Sequence, residues 1–223
     1  MKLLLPALGM AALFAALPAH ADSALDQAML DIEHQWEHIN YELPDGAKAE
    51  AYEQLEKQEE ALARQYPNQP EPLIWHGITL SSHAGAKGGL GALGLAKQAR
   101  SQLMAAEKIN ADALQGSIYT SLGTLYYKVP GWPIGFGDDD KAESYLKKAL
   151  QVNSGGIDPN YFYADFLYGK HRYQDAMKFL DRAAAAHARP QRPLADKGRR
   201  HEIDALMAKI KSEAGDALKS SSR

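Results

Sequence analysis

The sequence predicts an all-α protein, an α-solenoid of stacked antiparallel helix pairs with capping helices at its N- and C-terminal ends. The first observation is a small-x3-Leu-x2-small pattern that occurs three times, at 99–106, 142–149 and 176–183. The second is the 34-residue interval between Ala142 and Ala176, a period typical of helical repeats. The third is that no segment alternates apolar and polar residues over the length of a strand, so no strand is predicted.

The first helix of the middle pair is predicted from Tyr119, Leu122 and Tyr126, whose spacing places them on one helix face. Gly123 and Ala142 have little or no side chain, so the two helix backbones can approach closely. We therefore expect Gly123→Ala to be mild and Gly123→Leu to overpack the contact. The residues predicted to anchor the repeats are Tyr119, Leu122, Gly123, Ala142, Leu146, Ala149, Ala176, Leu180 and Ala183.

This pattern resembles the tetratricopeptide repeat (TPR), which reads W-x2-L-G-x2-Y in its first helix and A-x3-F in its second. Here the first helix reads Tyr119-x2-Leu122-Gly123-x2-Tyr126, and Ala142-x3-Leu146 opens the second. The resemblance implies a TPR-like α-solenoid that presents surfaces to partners. It implies neither catalysis nor a cofactor.

Two units are longer between their helices than this repeat requires. The interval from Tyr119 to Ala142 is 23 residues and that from Trp75 to Ala99 is 24, whereas the repeat pattern needs roughly sixteen. We therefore predict enlarged loops at 84–94 and 129–139. Equivalent loops of a solenoid project from the same edge.

The segments outside the repeats follow their own patterns. An apolar run after Lys2, closed by Ala19-His20-Ala21, resembles a cleavable signal peptide over 1–21. The protein is therefore expected to be exported, to the periplasm. Apolar residues at helical spacing predict a capping hairpin in 22–70, before the repeats at 71–187. Residues 188–223 are predicted to form a capping helix and a disordered tail from Lys219.

Composition limits the function classes. The net charge is −3, which gives no broad attraction to nucleic acid. The chain has no cysteine, which excludes disulfides and thiolate metal sites. No segment after the predicted signal peptide is long and apolar enough for a membrane span. No nucleophile triad or carboxylate pair can be placed on opposed elements, so we expect neither an enzyme nor a cofactor.

Three local motifs suggest ligands but have simpler explanations. The glycines of Gly89-x-Gly91-x2-Gly94 match a dinucleotide fingerprint, but the segment before them is predicted to be a helix rather than a strand. Residues 138–140 are three aspartates, which suit a helix N-terminus better than the alternating ligands of a calcium loop. His34 and His38 share a helix face without an identifiable third metal ligand.

The second loop carries the strongest functional signal. Val129, Trp132, Ile134 and Phe136 lie among prolines and glycines that prevent a helix. They either pack against the neighbouring groove or form an apolar surface for a ligand or peptide, and the sequence leaves both open. The candidate binding residues are Trp132, Ile134, Phe136, Tyr126, Tyr127 and Tyr163, together with Arg189 and Arg192 from a basic cluster that suits an acidic partner.

Five segments also resemble a narrower group of proteins. They are Gly88-Gly89-x2-Ala92-Leu93, Tyr119-x-Ser121-Leu122-Gly123-x-Leu125-Tyr126, Pro130-Gly131-Trp132-Pro133-Ile134-Gly135-Phe136-Gly137-Asp138, Gly156-Ile157-Asp158-x-Asn160-Tyr161-Phe162-Tyr163 and Arg189-Pro190-x-Arg192-Pro193-Leu194-Ala195-Asp196. They are similar to exported TatT-type proteins associated with TRAP transporters and, more distantly, to the TPR domain of regulators of microtubule dynamics. The resemblance implies a helical binding module that is able to form homo-oligomers. We expect a non-catalytic periplasmic adaptor that holds a protein, a peptide or a small apolar ligand in a groove bordered by the two loops. The alternative is an accessory solute-binding component of a TRAP-type transporter.

Overall fold

The structure, a computed structural model, describes residues 19–221, so the predicted signal peptide lies outside the described residues except for its last three positions. The described chain forms helices joined by short connections, and its only bridge is an isolated pair between Gly131 and Gly137. None of these helices is both long and apolar enough to cross a membrane. The helices are α1 (Ala19–Tyr41), α2 (Asp45–Gln65), α3 (Glu71–Lys87), α4 (Gly89–Ile109), α5 (Ala113–Lys128), α6 (Asp139–Val152), α7 (Ile157–Gly169), α8 (Tyr173–Ala184) and α9 (Pro193–Ser221).

The predicted TPR-like α-solenoid is confirmed. Three antiparallel pairs, α3 with α4, α5 with α6 and α7 with α8, pack in succession, and the α1–α2 hairpin packs on α3. The small and leucine positions of each second helix face the core. All nine are fully buried: Ala99, Leu103, Ala106, Ala142, Leu146, Ala149, Ala176, Leu180 and Ala183.

The prediction of an enlarged loop at 84–94 is wrong. The helix α3 continues to Lys87 and α4 begins at Gly89, so Gly88 alone separates them. Gly88 and Gly89 have φ angles of 62° and 60°, a left-handed conformation that glycine adopts without a β-carbon clash. The additional residues of this unit therefore lengthen the two helices, and the glycines provide a sharp reversal between them.

The segment between α5 and α6, Val129 to Asp138, is non-helical and closed by its own backbone. The Gly135 amide donates to the Gly131 carbonyl at 3.0 Å, and the Gly137 amide donates to the Pro130 carbonyl at 2.9 Å. At its end, the Asp138 side chain accepts a hydrogen bond from the Lys141 amide at 3.0 Å. This bond caps the N-terminus of α6 and fixes the C-terminal end of the loop.

The two ends of the solenoid meet. The helix α1 contacts α9, which also packs on α7 and α8. Arg192 Nε donates to the buried Glu37 carboxylate at 2.6 Å, and a ring nitrogen of His34 lies 2.8 Å from the Gln191 carbonyl. Tyr41 packs onto Gly198, where a β-carbon would collide with its ring. The chain therefore surrounds its own concave face.

The helix α9 is longer than the sequence predicts. It runs to Ser221, three residues into the segment 219–223 that was expected to be disordered. The preceding Ala217 and Leu218 are strong helix formers, which favours continuation of the helix. Residues 222–223 lie outside the described chain.

Candidate functional site

The concave face contains a cavity of about 600 Å³. Helices α1, α3, α4, α5, α7 and α9 contribute to its walls, together with the loop at 129–138. Ile134 lines the cavity although its side chain is 69% exposed, so the cavity opens to solvent beside this loop. Its volume lies within the range of roughly 300–1,000 Å³ that is common for small-molecule sites.

Helical spacing explains why these side chains meet. On α3, Trp75, Ile78 and Ser82 follow at intervals of three and four residues and face the cavity together. On α5, Ser117, Ser121, Thr124 and Lys128 do the same. The apolar side chains of the wall are Trp36, Trp75, Ile78, Ala84, Ala92, Leu93, Ala96, Leu125, Val129, Pro130, Ile134, Phe162 and Ala195.

Most hydroxyl groups in the wall donate to their own helices. Ser81 Oγ donates to the Gly77 carbonyl at 2.7 Å, and Thr124 Oγ1 donates to the Thr120 carbonyl at 2.8 Å. Ser82 Oγ donates to the Ile78 carbonyl at 3.1 Å and accepts the indole N–H of Trp36 at 3.0 Å. An apolar ligand can therefore cover these hydroxyls without leaving their hydrogens unpaired.

The inner end of the cavity carries a network of charges. Asp158, at the start of α7, accepts hydrogen bonds from Arg189 Nη1 at 2.7 Å and from Arg199 Nε at 2.8 Å. Burial alone would raise the pKa of Asp158, but the charges of Arg199, Arg189 and Arg192 outweigh it and lower the pKa to about 2. Asp158 is therefore an anion at neutral pH, and it joins α7 to α9.

A second group of charges joins α1 to the start of α9. Arg192 Nε lies 2.6 Å from Glu37 and 3.3 Å from Glu33. Burial raises the pKa of Glu33 even though the charge of Arg192 opposes it. The indole N–H of Trp75 approaches Glu33 without completing a hydrogen bond, and no other described group accepts it. The guanidinium of Arg192 also lies over the Trp75 ring, 4.9 Å from its centre.

A smaller cavity of about 490 Å³ lies on the other side of these charges. It is lined by Glu33 and by Leu114 and Gln115, which form a left-handed turn before the regular part of α5 begins. Five residues line both cavities: Trp75, Ser117, Asp158, Arg189 and Arg192. The arginines and their carboxylates therefore stand at the boundary between the two spaces.

The structure separates the apolar residues of the loop at 129–138. Trp132 is 90% exposed and lines neither cavity, whereas Val129 and Ile134 line the larger one. Phe136 is half-buried: its ring meets Tyr126 edge-on at 5.7 Å, and the Arg100 guanidinium lies 4.0 Å from its centre. One loop thus contains a packing residue, two cavity residues and one free aromatic side chain.

The three tyrosines predicted to bind a ligand pack between helices instead. Tyr126 stacks on Tyr145 at 5.8 Å, and Tyr127 meets Phe166 edge-on at 5.4 Å. Tyr163 donates its hydroxyl to Glu143 at 3.0 Å. None of the three lines either cavity, because these positions belong to the contacts within and between helix pairs.

The basic cluster near the C-terminus pairs with the protein's own groups. Arg189 bonds to Asp158 and Asp196, and Arg192 bonds to Glu37. Arg200 donates to the carbonyls of Ala184, the last residue of α8, and of Ala186, just beyond that helix. Arg189 and Arg192 nevertheless line the cavities, so they remain candidate site residues, although both already pair with carboxylates of the protein.

The candidate metal motifs have local partners. Asp138 caps α6, and His38 pairs with Glu42 at 2.7 Å. Within residues 19–221, no group of three or more histidine, aspartate or glutamate side chains is arranged to hold a metal ion.

The family comparison and one solved structure agree with the architecture. Residues 134–210 match the tetratricopeptide repeat family. The fold is a TPR fold. The TPR protein TTC0263 of Thermus thermophilus aligns with a TM-score of 0.54 and 17% identity, over 86% of this chain and 93% of that chain. PilF of Pseudomonas aeruginosa aligns with a TM-score of 0.36 and 14% identity, over 85% and 91%. A comparison with curated proteins gives no significant match.

The TPR character extends beyond the matched residues. The α3–α4 pair precedes residue 134, yet it repeats the close glycine–leucine contact of the α5–α6 pair. TPR proteins are generally non-catalytic scaffolds, and the fold suggests an interaction or adaptor role.

Sequence reasoning missed most of the cavity wall. Trp75 enters the sequence analysis only as a repeat position, and Asp158 only within a segment that resembles TatT-type proteins. The helical spacing of apolar residues places Trp36 on a helix, but it does not assign Trp36 to a binding site. The only indication in the sequence was the close spacing of aromatic residues from Tyr119 to Tyr168, of which Phe162 lines the larger cavity.

Proposed function

We propose that this protein is a non-catalytic binding and adaptor module that holds a small apolar ligand in the larger cavity. The observation that carries the proposal is a cavity of about 600 Å³ with a mainly carbon wall. Filling it removes apolar surface from water, which contributes about 25 cal/mol per Å². Most hydroxyl groups along α3 and α5 do not oppose this, since Ser81, Ser82 and Thr124 already donate to carbonyls of their own helices.

The adaptor part of the proposal rests on the loop at 129–138. Trp132 projects into solvent two positions from Ile134, which lines the cavity. A large aromatic side chain held on a closed loop is a typical anchor for a protein partner. The partner would therefore dock beside the cavity opening, where it can sense whether the cavity is filled.

Export to the periplasm belongs to this proposal and rests on the sequence of residues 1–21. A second candidate function is an accessory solute-binding component of a TRAP-type transporter. The observation that favours it is the closure of the solenoid by α1 and α9, because a solute carrier needs an enclosed site whereas a protein-binding groove is open.

The cavity can be tested by filling it. Ser121, on α5, lines the cavity, and Ser121→Trp places a large ring there. Ser101, exposed on α4, gives the matched control Ser101→Trp. With the neutral fluorophore N-phenyl-1-naphthylamine as the probe, we expect the wild type and Ser101→Trp to bind equally, and Ser121→Trp at least tenfold more weakly. Equal binding by both variants would place the probe elsewhere and refute the cavity as the site.

A further inference from the structure

We propose that the ligand is an amphipathic carboxylate, with its hydrocarbon chain in the larger cavity and its carboxylate on Arg192 at the boundary of the two cavities. This inference rests on the proposed function and names the ligand class. Its basis is a set of hydrogen-bond donors that the protein leaves free, directly beside a carbon-lined space.

Arg192 provides most of these donors. A guanidinium carries five N–H groups in a planar fork. Among the described residues, only Nε of Arg192 makes hydrogen bonds, to Glu37, with Glu33 further away at 3.3 Å. Neither terminal nitrogen has a hydrogen-bond partner in the described chain, and the side chain lines both cavities. This free edge has the geometry that binds a carboxylate through two parallel hydrogen bonds.

Arg189 adds a second donor group to the same boundary. Its Nε and Nη1 bond to Asp196 and Asp158, while Nη2 has no partner in the described chain. The side chain is 29% exposed, and it too lines both cavities. The protein's carboxylates fix these arginines from one side, so their free edges are held in place before a ligand arrives.

A cationic head group fits this place less well. Two of the aromatic rings that line the larger cavity already face arginines: Arg192 lies over Trp75, and Arg199 lies 4.5 Å from the centre of Phe162. A ligand cation would therefore meet guanidinium groups at both rings.

The nearby carboxylates oppose an anionic ligand unless one of them takes up a proton. The groups around Arg192 are Glu33 and Glu37 from α1, Asp158 from α7 and Arg189 before α9. Glu33 has the longer contact, and burial raises its pKa. Protonation of Glu33 removes a negative charge beside Arg192, so the ligand carboxylate is expected to bind more tightly as the pH falls toward the raised pKa of Glu33.

The wild-type full chain provides the decisive test. Decanoate, decanol, decyl phosphate and decyltrimethylammonium each displace N-phenyl-1-naphthylamine in parallel titrations. We expect decanoate to bind at least tenfold more tightly than decanol, and the ammonium compound to bind most weakly. Equal binding of decanol and decanoate would overturn the carboxylate assignment and leave the proposed function standing. Tighter binding of decyl phosphate would also overturn it. Failure of every decyl compound and of the fluorophore would overturn both proposals.

A variant then locates the head group. Arg192→Lys keeps a positive charge near Glu37 but removes the planar fork, and Arg64→Lys on the exposed face of α2 is the matched control. We expect Arg192→Lys to weaken decanoate about tenfold and leave decanol unchanged, whereas Arg64→Lys changes neither. Equal weakening of decanol and decanoate would mean that Arg192 acts only through the fold, which contradicts the proposal.

Discussion

Gly123 lies so close to Leu146 that a β-carbon on residue 123 would stand 2.6 Å from Leu146 Cγ. The same β-carbon would stand 3.1 Å from the Ala142 carbonyl oxygen. Gly77 has the same relation to Leu103, also at 2.6 Å. The α3–α4 and α5–α6 pairs therefore share one contact, in which the missing side chain of the first helix accommodates the leucine of the second.

This contact changes the expectation for Gly123→Ala. An alanine gains about 1 kcal/mol of helix propensity, but its β-carbon would displace the branch carbon of Leu146 and crowd a backbone oxygen. We expect a net destabilisation of about 1–2 kcal/mol, and more for Gly123→Leu. Urea unfolding measures it. Gly94→Ala, in open space on α4, is the control and should be neutral or stabilising. Equal stability of the two alanine variants would show that the contact relaxes without cost.

Trp132 and Phe136 should respond differently to truncation. Trp132→Ala should leave the free energy of unfolding within about 0.5 kcal/mol of the wild type, because the side chain is exposed. Phe136→Ala should cost about 2 kcal/mol or more, because it loses its contacts with Tyr126 and Arg100. If Trp132 anchors a partner, Trp132→Ala weakens partner capture at least tenfold, about 1.4 kcal/mol. A large stability loss in Trp132→Ala would contradict this division of the loop.

Asp158→Asn tests the junction between α7 and α9. The pKa of Asp158 is about 2 in the folded protein, below the ordinary value of 3.8. Its contribution to stability is therefore present above pH 3.8 and is lost as the pH falls through 2. At pH 7 we expect Asp158→Asn to lower the free energy of unfolding by an amount on the order of 2 kcal/mol. The difference in the free energy of unfolding between Asp158→Asn and the wild type should become smaller as the pH falls from 4 toward 2. Asp181→Asn, on the exposed face of α8, is the control. A stability difference between Asp158→Asn and the wild type that does not change with pH would contradict the stabilising role of the Asp158 charge.

The stability difference between Glu59→Gln and the wild type should change with pH in the opposite sense to that of Asp158→Asn, because the variant is expected to gain stability over the wild type as the pH rises. Glu59 is fully buried between α2 and α3, where Thr79 Oγ1 donates to it at 2.6 Å. Burial raises its pKa well above the ordinary value of 4.5, partly opposed by the Thr79 bond. The folded state therefore holds a proton that the unfolded state releases, so wild-type stability falls as the pH rises above 4.5.

Glu59→Gln replaces the carboxyl group with an amide that does not ionise, so this loss of stability with rising pH is absent from the variant. We expect Glu59→Gln to be more stable than the wild type at pH 8, with the difference shrinking toward pH 4. Thermal melts across this range measure it, with the exposed Glu53→Gln as the control. A constant difference at all pH values would mean that Glu59 is ionised in the folded protein.

The repeats could be predicted from the sequence because their contacts are local. Ala142, Leu146 and Ala149 lie within two turns of one helix, and the 34-residue interval fixes the next pair. The prediction of a loop at 84–94 was wrong for a physical reason. The number of residues between two repeat anchors does not show whether the additional residues extend the helices or the connection between them. Gly88 permits the sharp reversal that makes longer helices possible.

The cavity could not be predicted because it depends on distant pairs. Arg192 and Glu37 are 155 residues apart, and Arg199 and Asp158 are 41 apart. Periodicity indicates which residues share a helix face, but it does not indicate which two helices meet when the solenoid closes. The sequence shows the aromatic residues and arginines of the site, but not that they lie together. They meet only because the solenoid closes on itself.

The meeting of α1 and α9 also has a consequence for how the protein unfolds. In an open array each repeat touches only its neighbours, so the ends can fray separately and repeats can be added or removed. Here the first and last helices hold each other, and separating them exposes Glu37 together with the guanidinium of Arg192. We expect cooperative, all-or-none unfolding rather than melting from the termini. The contact between the first and last helices also fixes the number of repeats, because inserting one more helix pair would separate α1 from α9.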